Sequence, residues 1–271
     1  MLRDDNQFLA KWVEYYSACL GKENLFVFFD GTDQTVPSFC EGVNTTVVEH
    51  VPASRTEGDR LRATFLSRQA AELFGRGYQM VIGTDVDEFL AVDPALGVGL
   101  REFLSSLHSY CACISGLGVD VGQKLGEEAE MDWSRPMLSQ RSYAKLSTRY
   151  SKASVLVRPA QWGSGFHRVK RSNYHIVKDL YLFHFGCADL ARIKNRMGMS
   201  NLQAEGWSNH LEKRAGTIKL VSSARALPWE KTVARARRVQ NVFRPPYALN
   251  KPSMFELKIV VRIPERFSGL F

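Results

Sequence analysis

No stretch of this 271-residue chain approaches the roughly 18 uninterrupted apolar residues that a membrane span requires. The opening Met1-Leu2-Arg3-Asp4-Asp5-Asn6 also lacks the cationic start and apolar core of a secretory signal. These absences predict a soluble, cytoplasmic protein. C-x-x-C pairs are missing as well: Cys19, Cys40, Cys111, Cys113 and Cys187 are odd in number and lie in mostly apolar surroundings, so reduced core thiols are expected. Cys111-Ala112-Cys113 could bind a soft metal, but followed by Ile114 it suits a strand interior better. The chain has no internal repeat and no low-complexity segment. What it does have is 45% hydrophobic and 11% aromatic residues, ample for a core.

The net charge of +8 is unevenly distributed. From Lys213 onward, 13 Lys and Arg stand against Glu230, Glu256 and Glu265, a balance of +10 that leaves −2 for residues 1–212. Trp229, Phe243, Tyr247, Phe255, Phe267 and Phe271 lie among those charges, a pattern that suits an anionic membrane leaflet. An ordinary solvated helix followed by a loose end explains the same residues. No helix-turn-helix, finger or aromatic-basic sheet motif supports nucleic acid as a partner.

Apolar spacing predicts a helix over residues 6–20, with Phe8, Trp12 and Tyr16 on one face and Gly21 as its stop. Strands are expected at residues 25–29, ending in Asp30-Gly31-Thr32-Asp33, and at 46–51, with a helix over 58–74. The next strand, residues 79–83, runs into Thr84-Asp85-Val86-Asp87-Glu88-Phe89-Leu90. Further strands are predicted at 110–115, running into Gly116-Leu117-Gly118-Val119-Asp120, and at 154–158 and 180–185. Helices are predicted at 99–108, 188–196, 202–215 and 229–242, the last stopped by Pro245-Pro246, and residues 122–150 suit an irregular loop over a site. Continuous apolar strands alternating with helices imply an α/β fold with a parallel sheet, whose ligands bind at the carboxyl ends of strands. Asp30, Asp33, Asp85 and Asp87 all fall at such ends.

Two carboxylates one residue apart at a strand end can hold a hard divalent cation against a phosphate. A turn with a capping carboxylate explains D-x-D equally, so the neighbouring segments have to decide. Residues 3–16 and 25–33, Val157-Arg158-Pro159, Gly165-Phe166-His167, and Leu182-Phe183-His184-Phe185-Gly186 continuing to Arg196 accompany the motif in order. This ordered set resembles the glycosyltransferase family 2-like proteins of GT-A fold, whose strand-end motif reads D-x-D-E-F. The resemblance spans residues 1–199, about three quarters of the chain. It departs from the family in two places: only Met1-Leu2-Arg3 stand where the family has a whole first strand, and Tyr16 replaces a frequent histidine.

The resemblance implies a GT-A type (Rossmann-like), mostly parallel sheet flanked by helices in residues 1–199, with a helical, basic C-terminal extension in 200–271 for acceptor or membrane-surface contacts. It implies a metal-dependent, inverting transfer of sugar from a nucleotide-sugar donor, a UDP-sugar first, to a saccharide or glycolipid acceptor in surface polysaccharide or lipid-linked glycan synthesis. Such a protein would be cytoplasmic or peripheral on the inner membrane face. Asp87 would hold Mn2+ or Mg2+, Asp85 would face the ribose or reach the metal through water, and His184 would supply a further ligand that favours Mn2+. A packed core histidine explains His184 equally. Asp30 and then Asp33 would hold the base or ribose, and Arg60, with Arg55 and Arg62, the diphosphate, unless these arginines form a solvated helix face. The general base would be Asp120, Glu127 or Glu128, with Asp132 also in the region; Asp120 leads because it directly follows a strand. Trp133 or Trp162 could stack on an acceptor sugar.

Two other readings compete. A haloacid dehalogenase-like phosphotransferase also uses D-x-D, but on its first strand and without Glu88-Phe89 after it. A non-catalytic basic protein on a membrane surface rests on the tail alone.

Overall fold

A computed structural model describes residues 1–51, 54–108, 111–172, 174–198, 208–242 and 258–271. The expected Pro245-Pro246 stop and the tail aromatics Phe243, Tyr247 and Phe255 lie outside the described residues, as does the Arg55 side chain. Six α-helices are described: α1 (Asn6–Leu20), α2 (Arg55–Gly75), α3 (Leu100–Ser106), α4 (Leu190–Met197), α5 (Ser208–Ser223) and α6 (Trp229–Val242). The strands are β1 (Phe26–Asp30), β2 (Asn44–Val48), β3 (Val81–Ile82), β4 (Glu88–Val92), β5 (Cys113–Gly122), β6 (Tyr143–Leu146), β7 (Val155–Leu156), β8 (Tyr174–Cys187) and β9 (Val260–Arg262).

The fold is α/β with mixed sheets, not the mostly parallel sheet expected. β1 and β2 form a separate parallel pair. In the seven-stranded sheet β5 and β8 are parallel, whereas β3·β7, β4·β8, β5·β6, β5·β7 and β6·β9 are antiparallel. The expectation failed in the second half of the chain, where β5, β6, β7 and β8 follow one another with no α-helix between them. Parallel neighbours need a crossover, usually an α-helix; without one the only consecutive strands of this stretch that pair among the described residues, β5 and β6, run antiparallel. Residues 122–150 are also less irregular than expected, because β6 lies within them and carries β9.

β8 organises the core. Its Tyr181, Phe183 and Phe185 face an aromatic cluster with Phe89, Trp229, Phe267 and Phe271, and Phe183 lies 5.4 Å from Phe267 and 5.6 Å from Phe271. Residues on both sides of the expected boundary at 199–200 therefore share one core. The alternate residues of β8, including His184 and Gly186, point to the other face of the sheet. Helix α1 pins the first strand of the site: Tyr16 Oη accepts from the Leu90 amide at 2.8 Å, Tyr15 Oη donates to the Leu90 carbonyl at 2.7 Å, and Trp12 Nε1 donates to Thr84 Oγ1 at 3.0 Å. A cavity of about 580 Å³ lies beneath that turn, between α1, α2, β1 and β3, lined by Trp12, Phe28, Leu66, Ile82 and Trp162 among others. Among the described residues no helix is long and apolar enough to cross a membrane.

Candidate metal and anion site

The D-x-D occupies the turn between β3 and β4, so the carboxylates sit at a strand end as the sequence suggested. Strand pairing then brings distant residues to them. His184 is the register partner of Glu88 on β4 and of Asp120 on β5, which places Glu88, His184 and Asp120 in one row across three strands. Directly opposed residues share a face, so the row is a consequence of register.

His184 is 1% exposed and held at both nitrogens. Its Nδ1 lies 2.6 Å from Asp120 Oδ1 and its Nε2 3.4 Å from Asp87 Oδ2, while the Tyr150 ring stacks on it at 3.7 Å. Burial by itself disfavours the imidazolium, but the carboxylates of Asp87 and Asp120 push its pKa up to about 9. Asp87 also receives Arg214 Nη2 at 3.0 Å. Burial opposes its charged form, yet Arg214 and His184 hold its carboxyl well below the usual range.

Asp85 takes a different partner. Lys152, 2% exposed, donates to Asp85 Oδ2 at 2.8 Å and also contacts Glu88 Oε1. Burial would raise the Asp85 carboxyl, but Lys152 and then Arg62 bring it below its ordinary value. Glu88, fully buried, is raised despite Lys152, and its Oε2 accepts from the Asp85 amide at 3.2 Å, which fixes the turn.

The other expected residues are dispersed. Asp30 accepts from or faces His50 Nδ1 at 3.0 Å, and Asp33 makes two bonds to the Arg3 guanidinium at 2.8 and 2.6 Å. Arg60 is exposed and 4.0 Å from Glu57 in its own helix; Arg62, not Arg60, is the arginine whose charge reaches Asp85. Asp120 does not face an acceptor. Both its oxygens are engaged, Oδ1 by His184 and Oδ2 by Thr217 Oγ1 at 3.1 Å, so it orients the histidine and is not placed to take a substrate proton. Glu128 accepts from the amides of Lys124 and Ser142, Asp132 from Ser134, and only Glu127, paired with Lys124 at 2.9 Å, is an exposed candidate base among the three expected. Trp162 is 2% exposed and donates to the Ala153 carbonyl, so it packs beneath the loop as part of the wall of the cavity between α1, α2, β1 and β3 and not on the open surface. Trp133 packs edge-on against Phe8 at 5.0 Å and lines a second cavity with Asp5, Arg192 and Arg196.

Lys152, Tyr150, Arg214, Thr217 and Gly186 were not anticipated. Gly186 is the only residue type that fits: a Cβ there would lie 2.5 Å from Arg214 Cζ and 2.6 Å from His184 Nε2. Its local signal was a lone glycine inside an apolar strand, which marks close approach of another group.

These residues fit a divalent cation. Ligand atoms of Asp87, Glu88 and His184 lie within 4.8 Å of one another, and the Nδ1–Asp120 bond is the outer-shell arrangement that directs Nε2 at a metal. Oxygen donors with one imidazole suit Mn2+ over Ca2+. No protein-family model matches the chain, and no curated protein matches it.

Proposed function

We propose that this protein is a metal-dependent glycosyltransferase that moves a sugar, with inversion, from a nucleotide-sugar donor, a UDP-sugar first, to a saccharide or glycolipid acceptor. The observation that carries the reading is the line Asp87–His184–Asp120, in which a strand-end carboxylate meets a buried histidine 97 residues away whose other nitrogen is held by a carboxylate. Asp87 and the His184 Nε2 would hold Mn2+ or Mg2+, and Asp120 keeps the proton on Nδ1 so that Nε2 is free to ligate. When bound, the cation supplies Lewis-acid neutralisation of the charge that develops on the nucleoside diphosphate leaving group. Asp85, bonded to Lys152, would face the ribose or reach the metal through water, and Arg62 adds positive charge on that side. Tyr150 and the sheet exclude water from one face of His184. Basic residues of the C-terminal segment are proposed to hold the protein against an anionic membrane surface where lipid-linked acceptors lie.

Calorimetric titration with UDP, GDP and CMP, with and without Mn2+, tests the reading. One nucleotide should bind only with the metal, and Asp87→Ala should weaken it by at least about tenfold, the scale of one charge-assisted contact. Binding that ignores the metal, or that survives Asp87→Ala unchanged, overturns it.

A further inference from the structure

Arg214 and a divalent cation need the same atom. Asp87 Oδ2 takes the Arg214 Nη2 bond at 3.0 Å and is also the oxygen that faces His184 Nε2. A guanidinium on that oxygen competes with a metal for it, so Arg214 is not simply a support for the ligand. Its surroundings suggest where it goes when displaced.

Helix α5 presents Arg214 and, three residues on, Thr217 to the site, and Ile218 and Val221 bury the helix against the sheet. The backbone is thereby fixed, so a change of partner at Arg214 has to be made by the side chain. Arg214 Nε is buried with no hydrogen-bond partner, a donor left unused. Nearby stand Arg192 and Arg196, paired with Asp5 at 2.7 and 3.5 Å. Burial and then the neighbouring charges of Arg192 and Arg214 lower the Arg196 pKa despite Asp5, so like charges crowd this side of the site. An anion placed there would relieve the crowding and would use the idle Nε, since a guanidinium binds phosphate oxygens through paired donors.

We propose that Arg214 is an exchangeable counter-ion: it holds Asp87 until a divalent cation takes that carboxylate, and then turns to the diphosphate of the donor. This rests on the transferase reading and adds a specific order, cation before anion, imposed by one residue of the C-terminal segment. Two binding constants should then move in opposite directions when Arg214 is removed, which a merely structural role would not produce.

The test uses the full chain with Mn2+ alone, followed by free-ion electron paramagnetic resonance, and inorganic pyrophosphate at saturating Mn2+, followed by calorimetry; pyrophosphate probes the diphosphate whatever the base. In Arg214→Gln, Mn2+ should bind about tenfold more tightly and pyrophosphate about tenfold more weakly, the scale of one hydrogen bond between charged groups. Arg214→Lys, which keeps the charge without the paired donors, should recover part of the pyrophosphate affinity, and it serves as the second variant if Arg214→Gln folds poorly. If both affinities fall together, or neither moves, the exchange is wrong while the transferase reading stands. If the unmodified chain binds neither Mn2+ nor pyrophosphate, both ideas fail.

Discussion

Lys152 is a cation with almost no access to water, placed between Asp85 and Glu88. Desolvating three charged groups together is costly, and the arrangement survives because each neutralises another. Lys152→Met keeps the volume and removes the charge, leaving two buried carboxylates with no cation between them. The expected loss is about 3–5 kcal/mol of unfolding free energy, the usual cost of breaking a buried pair from one side. Urea denaturation of the two proteins checks it, and a loss below about 1 kcal/mol would show that Glu88 already carries a proton and needs no partner. This residue also marks a limit of sequence reading. Asp85 and Asp87 were legible because an apolar strand ran into them, and His184 because it ended another. Lys152 has no such local context: its role depends on a contact 67 residues away, and Ser151-Lys152-Ala153-Ser154 carries no signal of burial.

Strand β8 shows which element-level features were readable. Its apolar run was evident, but its true extent, Tyr174–Cys187, begins with a segment, Tyr174–Ile176, that pairs with β5 and is set apart from the apolar run by Lys178 and Asp179 at a register shift. The role of Asp120 was also misread: following a strand directly suggested a free end, whereas register with β8 places it inside the sheet behind His184. Two glycines separate what strands do for the fold from what they do for the site. At Gly118 in β5 a Cβ would meet backbone atoms of Ser147, Tyr150 and Ser151, which cannot step aside. At Gly186 in β8 it would meet the ends of two side chains, Arg214 and His184. Gly118→Ala should therefore cost at least about 1–3 kcal/mol of stability, the range for overpacking. Gly186→Ala should cost a similar amount, because His184 is held at both nitrogens, and in addition weaken Mn2+ binding at least about tenfold by displacing Nε2 and the guanidinium. Thermal unfolding beside metal titration distinguishes them; equal destabilisation with intact metal binding in Gly186→Ala would mean the glycine serves only packing.

At the scale of the whole molecule the chain carries +8 and several buried titratable groups, so its stability must depend on pH. The groups act in opposite directions. His184, raised to about 9, contributes stability that is complete below its unfolded value near 6.5 and is lost as pH rises toward 9. Glu88, raised by burial, also favours lower pH, losing stability above its ordinary carboxyl range. His167 acts the other way. Its Nδ1 lies 3.0 Å from the Arg149 carbonyl oxygen, and burial together with the charge of Lys152 lowers its pKa to about 3, so the folded chain keeps the ring neutral. The unfolded chain takes a proton there near pH 6.5, so the contribution of His167 is complete above that pH and drains away as pH falls. At pH 5 the loss is up to about 2 kcal/mol, 1.5 units at 1.36 kcal/mol each. The carboxylates held low, Asp85 and Asp87, are lost only in stronger acid. Lys152 stays charged throughout this window, since its pKa is raised by Asp85 and Glu88 despite burial, so its repulsion of a protonated His167 persists. His167→Gln removes the one titration and leaves the rest to cancel in the difference. Unfolding free energies of both proteins between pH 7.5 and 5 should therefore diverge, the original chain falling by up to about 2 kcal/mol relative to the variant. Parallel curves would mean that the ring is protonated in the folded protein and that the core beside the D-x-D admits water.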